Sequence, residues 1–348
     1  MLRKLLYSNT SWSLLSNGAT ALLGFVNLAF IARQFSQADA GKWFMLLTVY
    51  TLLEMLRSGW VQTPFVRYFV VAKTEEERGH LIGASWQLLL GFTVVLSLVA
   101  GIVFYCISYR SVTYSLAFQM AIVWLFATLP YQLLQWQLQA KSWFKKLAIV
   151  RLLFPFSFAV LLLLQLKLKL SIETLAVIYA MLQLVAGLIG FITGWLQFGS
   201  WKKEAKQKRK QLSGFGKFSM LTMVTANLLR SSDQFIIASF LGPAAVAVYS
   251  IPQKLIEAIE IPVRSFASVA VPKATSLWQN EKGQQLRRFF YSQCGMLTAL
   301  ILPLLLTLLL FPSFIVSLLG GGKYQQSSLV LQIFCFYAIL LPLDRYCG

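Results

Sequence analysis

The 348-residue chain is expected to fold as an all-α bundle of membrane-crossing helices, and three features carry that expectation. Hydrophobic residues make up 57% of it and charged residues only 12%, with a mean hydropathy of +0.67; soluble domains carry about 25% charged residues. Apolar runs of roughly the ~20 residues needed to cross hydrocarbon recur along the whole length. These runs are continuously apolar, whereas the strands of a membrane β-barrel are short and alternate apolar with polar.

Ten such segments can be placed, at about 11–33, 43–66, 81–107, 115–138, 148–168, 172–198, 215–240, 244–269, 289–312 and 326–346. The first follows Arg3 and Lys4, as a cleaved leader would, but it is long, carries Asn17 and Asn27 and offers no convincing cleavage site, so it reads as a retained helix. The second holds Glu54 and Arg57 at i and i+3. The third opens after the polar loop "KTEEERGH", and the fifth and sixth are joined by Lys167 to Ser171. The seventh contains "TANLLRSSDQFIIASF", which puts Arg230 and Asp233 at membrane depth. The eighth carries Pro252 and Pro262, which kink or hinge a helix. "GGGK" at Gly320 to Lys323, between the ninth and tenth, lacks the remaining spacing and hydroxyl of a phosphate-binding P-loop and reads as a turn.

A net charge of +19 raises the possibility of nucleic-acid binding, above all at "WKKEAKQKRKQ" (Trp201 to Gln211). The distribution of the charge assigns it to topology instead. With the N-terminus in the cytoplasm, and with bases within three residues of a segment end counted with the adjoining loop, the basic residues before the first segment and after the second, fourth, sixth and eighth number 2, 3, 4, 7 and 4, twenty in all. The opposite loops hold six. That bias is a positive-inside signal, and it places the 201–211 run on the cytoplasmic side beside anionic lipid. The four cysteines are scattered, and the single histidine, His80, sits in a loop. Neither a metal site, a disulfide framework nor a cofactor is expected.

An internal repeat is visible at an offset of 205: "FIARQFSQADAGKWF" (Phe30 to Phe44) falls on "FIIASFLGPAAVAVY" (Phe235 to Tyr249). Six segments precede the repeat, so its halves share one orientation and are related by an axis along the membrane normal. The expected organisation is an N-lobe of six helices (1–200), a basic cytoplasmic linker (201–214) and a C-lobe of at least four helices (215–348), which reads as incomplete beside the first.

Polar residues fall on faces. In the first segment Asn9, Ser13, Asn17, Thr20, Gly24 and Asn27 lie within an arc of ~80° at 100° per residue. Asn227, Arg230 and Asp233 share a face of the seventh, and Lys254, Glu257, Glu260 and Arg264 lie within ~120° on the eighth. Each intramembrane acid has a basic neighbour, a pattern that fits either interhelical glue or a hydrated central cavity. Charges in both halves, at repeat-equivalent helices, favour the cavity.

The run "FGKFSMLTMVTANLLRSSDQFIIASFLGPAAVAVYSIPQKL" with "VAVPKATSLW", the opening "NTSWSLLSNGATALLGFVNLAFIARQFSQADAGKWF" and "SLLGGGKYQQSSLVLQIF" resemble polysaccharide-exporting flippases of the Wzx type, from the superfamily that also holds the MATE drug exporters and lipid II flippases. Members usually have 12 to 14 helices. The resemblance implies a MATE-like fold and translocation of an undecaprenyl-pyrophosphate-linked sugar or oligosaccharide to the outer leaflet of a bacterial plasma membrane, by alternating access and without enzymatic chemistry. It makes Arg57, Arg230, Lys254 and Arg264 candidate pyrophosphate contacts, since a phosphate that loses water is compensated by charge-assisted hydrogen bonds. Asn17, Asn27, Asn227 and Gln253 become candidate sugar contacts. Glu54, Asp233, Glu257 and Glu260 would hold the basic groups in place or take up a coupling H⁺ or Na⁺. A cationic-drug exporter of the same fold would need unpaired carboxylates, which the first segment lacks between Ser8 and Arg33. A membrane enzyme would need a large outer loop rich in Arg, His or Asp, and the outer loops are short and without His.

Overall fold

A computed structural model describes residues 9–108, 112–201, 203–279 and 283–347; within these helices some side chains, those of Arg230 and Arg264 among them, lie outside the described set. The described residues are helical nearly throughout and contain no strand. In order the helices are α1 (Asn9–Gln34), α2 (Gln37–Val71), α3 (Glu75–Ser108), α4 (Val112–Ala127), α5 (Leu129–Ala140), α6 (Phe144–Leu168), α7 (Ile172–Ile192), α8 (Lys203–Gln279), α9 (Gly283–Leu310), α10 (Pro312–Gly320), α11 (Ser327–Ile339) and α12 (Leu341–Cys347). Each of the ten apolar segments lies mainly on helix. Five stretches are long and apolar enough to cross a bilayer, and the bent pair α4–α5 makes a sixth, so the protein is a multi-pass membrane protein.

Three departures from the sequence expectation have physical causes. The fourth segment is two helices bent by 52°; Pro130 at the start of α5 has no N–H to continue the ladder. The tenth is likewise divided at Leu340, two residues before Pro342. The basic run is helical: α8 begins at Lys203, because "KEAKQKRKQL" is made of strong helix formers without Gly or Pro. α8 is then broken once, at Gly242, whose φ of 80° and ψ of −177° belong to a region that only glycine occupies readily. The "GGGK" turn forms a 3₁₀ helix, Gly321–Tyr324.

The chain divides into two compact units, one of Met1–Asn27 with Gln34–Val246, the other of Leu28–Arg33 with Ala247–Gly348. In the first, α2 to α7 enclose a core that includes Phe65, Leu81, Leu89, Leu133, Leu134 and Trp136. Trp43, Trp124, Phe158 and Tyr179 form a second, aromatic layer, with the Trp124 and Tyr179 ring centroids 4.2 Å apart. The N-terminal arm of α8 (203–241) runs antiparallel to α2 at close range. A Cβ at Gly41 would lie 1.7 Å from the Pro243 carbonyl oxygen, one at Gly59 2.7 Å from Met220 Cα, and one at Gly216 2.2 Å from the Trp60 carbonyl oxygen. Glycines let the two backbones meet, as small residues do between membrane helices.

The connection after α7 is clamped. Gln137 donates to the Gln197 carbonyl and accepts from the Gln197 amide, at 2.8 and 2.9 Å. Trp86 donates to the same carbonyl, and the Ser200 amide donates to the Gly79 carbonyl at 2.9 Å. In the second unit, α9, α11 and the C-terminal arm of α8 contribute Ile251, Ile256, Leu297, Ile301, Leu331 and Cys335 to a core of their own. Tyr324 is fully buried there, and Ser327 donates to the Val248 carbonyl at 2.7 Å.

Candidate functional site

Charged side chains on the long helices define the candidate site, and the first is Arg57. It is fully buried. Nη1 donates to the Leu125 carbonyl and, at 3.4 Å, to Thr93 Oγ1; Nη2 donates to Thr128 Oγ1 at 2.8 Å and to Glu54. Leu125 and Thr128 flank the bend between α4 and α5, and Gly187 of α7 closes on the bend from another side, where a Cβ would lie 2.5 Å from the Tyr131 amide nitrogen. An arginine from α2 thus hydrogen-bonds the backbone where α4 gives way to α5. All four of its terminal N–H groups are engaged within the protein.

The polar stripe of α1 lies along α6. Asn17 Oδ1 accepts from Arg151 Nη1 at 2.9 Å, Asn27 donates to the Pro155 carbonyl at 3.2 Å, and Gln34 donates to the Leu162 carbonyl at 2.8 Å. The contacts advance in the same direction on both helices, so α1 and α6 run parallel. Arg151 stands seven residues into α6, about 10 Å along its axis. Its Nε donates to Gln135 Oε1 at 3.2 Å. Both acceptors are neutral amides, and no carboxylate among the described residues forms an ion pair with it. Gln62 and Gln139, bonded at 3.1 Å between α2 and α5, extend this amide-rich surface.

On the N-terminal arm of α8, Asn227 turns back to donate to the Met223 carbonyl at 2.8 Å, and Asp233 is half-buried. Gln234 is buried and bonds to Thr48 of α2. The side chain of Arg230, expected to share this face, lies outside the described residues, as does that of Arg264. In the second unit Lys254 and Glu257 form an ion pair at 2.7 Å, both partly exposed, while Glu260 is buried and Gln253 half-buried.

The residues named from the sequence therefore fall into three groups: a sealed pair (Glu54, Arg57), an α1 stripe set against α6 (Asn17, Asn27), and the residues of the two α8 arms. Arg151, the arginine in an amide setting, is not evident from the sequence, because it lies three residues inside the fifth segment, where it counts equally as loop charge. A signal existed: no acidic residue lies within four positions of it, unlike every other intramembrane base considered.

Comparison with known proteins gives the chain a lineage. No curated protein matches its sequence. Its fold is similar to that of a multidrug resistance MATE family transporter of the MOP superfamily in an inward-facing conformation, with a TM-score of 0.69 at 14% identity over 94% of this chain and 78% of that one. It is similar to the lipid II flippase MurJ in an inward closed conformation, with a TM-score of 0.70 at 13% identity over 96% and 74%. A mutant form of the Vibrio cholerae MATE transporter VcmN gives 0.55 at 16% identity over 97% and 85%. At these identities the likeness shows the fold. Residues 6–278 match the family described as "Polysaccharide biosynthesis protein", and the chain belongs to that family.

Proposed function

We propose that this protein moves an undecaprenyl-pyrophosphate-linked sugar or oligosaccharide from the cytoplasmic to the outer leaflet of a bacterial plasma membrane, by alternating access of two halves with its N-terminus in the cytoplasm. The observation that carries the reading is Arg151: a guanidinium inside a membrane-crossing helix, held by Asn17 and Gln135 and lacking an ion-paired carboxylate among the described residues. Keeping such a charge at that depth is costly unless an anion or water compensates it. A pyrophosphate carrying ~2 negative charges has the complementary need. In this reading Arg151, Arg230, Lys254 and Arg264 contact the pyrophosphate in transit, and Asn17, Asn27, Asn227, Gln253 and Gln135 offer amides to sugar hydroxyls. Asp233, Glu257 and Glu260 pair with the bases or take up a coupling H⁺ or Na⁺. Glu54 and Arg57 brace the bend.

The experiment is a set of substitutions in cells that depend on this protein. Arg151→Glu traps the lipid-linked glycan in the inner leaflet at normal protein abundance, and Arg151→Lys, which keeps the charge and loses the planar fork, is intermediate. Wild-type export by Arg151→Glu refutes the reading. Export of cationic drugs, abolished by acid-to-amide changes at Asp233 or Glu260, would replace it with a multidrug exporter.

A further inference from the structure

Within the first unit, a cavity of about 720 Å³ opens between the start of α3, the α5–α6 corner and the 193–201 connection, lined among others by Phe69, Arg78, Lys141, Trp143, Gln197 and Gly199. Its wall is a built surface. Gln137, Trp86 and the Gly79 carbonyl fix the connection, and a Cβ at Gly199 would lie 2.4 Å from that carbonyl oxygen. Such a clamp costs the conformational freedom of a whole connection.

Two cations, Arg78 and Lys141, line the cavity with one carboxylate, and Lys146 Nζ lies on the ring of the lining Trp143. Arg78 is tied to that carboxylate, Glu75, while its Nε is buried and has no acceptor among the described residues. Among the described residues Lys141 Nζ donates only to the neutral Gln197 Oε1, at 2.9 Å. It sits 5.1 Å from the centre of the Trp143 ring, and Lys146 Nζ sits 3.8 Å from the same ring. Burial pushes the Lys141 ammonium below its ordinary value; Glu75 opposes this and Lys146 adds to it. Two ammonium groups held on one indole, both partly buried, leave positive charge for which an anion is the natural complement. The surroundings say what carries the anion. Val70, Val71, Phe198 and Trp201 are each more than half exposed beside the cavity, an apolar and aromatic rim of the kind that sits at headgroup level.

We propose that this cavity binds the phosphate of an anionic phospholipid from the leaflet its loops face. By the positive-inside count that leaflet is cytoplasmic, where anionic lipid is enriched. The assignment is independent of the translocated cargo and of Arg151. The lipid phosphate is held by Lys141, Lys146 and Arg78, and its acyl chains lie along the exposed valines of α2.

The test titrates the full chain, purified in neutral detergent, with dioleoyl phosphatidylglycerol or dioleoyl phosphatidylcholine and counts bound lipid by native mass spectrometry. Phosphatidylglycerol is expected to bind at least tenfold more tightly. Lys141→Gln and Lys146→Gln should each weaken it about tenfold, the loss of one charge-assisted contact. Lys146 makes no hydrogen bond among the described residues, so Lys146→Gln keeps the test open should Lys141→Gln fail to fold. Equal binding of the two lipids, or unchanged binding by a folded Lys146→Gln, overturns the proposal. Displacement of phosphatidylglycerol by millimolar inorganic phosphate would make this a soluble-anion site instead. Displacement by undecaprenyl phosphate at lower concentration would make it a cargo site.

Discussion

Replacing Arg57 by Met separates a supporting role from a substrate contact. Met is close in length and removes every donor from a side chain that is fully buried. The hydrogen bonds to Thr93, Leu125 and Thr128 are lost; at about 0.6 kcal/mol each, the mean for membrane interhelical bonds, they account for about 2 kcal/mol. The larger loss is Glu54, whose side chain is 15% exposed and loses its ion-pair partner. Breaking a buried pair from one side costs about 3–5 kcal/mol, whereas removing both charges is often near neutral. Against a total stability of about 5–15 kcal/mol, Arg57→Met should lower abundance and thermal midpoint clearly. Glu54→Leu combined with Arg57→Met should recover most of both, with a coupling of about 2 kcal/mol or more. The assay is detergent thermal unfolding of the four-member cycle, together with glycan export divided by protein abundance. Full abundance of Arg57→Met with no export, or a double variant as unstable as the single, would refute the argument and return Arg57 to the substrate path.

Gly41→Ala should destabilise the protein by about 1–3 kcal/mol or more, because its Cβ meets the Pro243 carbonyl oxygen at 1.7 Å; Gly18→Ala, whose Cβ meets nothing within 4 Å, should be neutral or stabilising by up to about 1 kcal/mol in the same unfolding assay. The hydrogen bond from Lys208, with a further one from the Lys73 amide, holds the Glu77 carboxyl below the usual range. Its contribution is complete above the unfolded value of about 4.3 and fades as pH falls through the lower folded one, so acid unfolding curves of wild type and Lys208→Gln should differ above about pH 4.3 and converge below it. Cysteine introduced at Lys169 should react with an impermeant reagent in intact cells and cysteine at Lys206 should not; the reverse pattern inverts the topology.

Helix positions were legible because a bilayer demands long apolar runs, and nothing short of that length satisfies the backbone inside it. Pro130 and Pro342 were legible as breaks too, yet an apolar run of the right length hides them when hydropathy alone is read. The helical linker was hidden for a different reason: high charge density reads as a loop, although Lys, Glu and Gln favour helix on a solvated surface. For the site, spacing identified Glu54 beside Arg57 and Lys254 beside Glu257, because i and i+3 contacts are local. It did not show that Arg57 reaches Leu125 and Thr128, which depends on where a bent helix some seventy residues away presents its backbone. Arg151 was hidden by the ambiguity of a segment boundary, where a few residues decide between a loop charge that sets orientation and a charge inside a helix.

The break at Gly242 joins two helical arms with no loop between them. Hydropathy marks a connector there, and connectors are where proteases cut, epitopes are inserted and chains are permuted, because an exposed tip can be pulled into an extended strand. A one-residue joint at φ 80° has no slack to give. Insertion scanning and limited proteolysis should therefore find residues 241–243 as resistant as a helix interior, so a gap in a topology map at this position is no evidence against a boundary between segments.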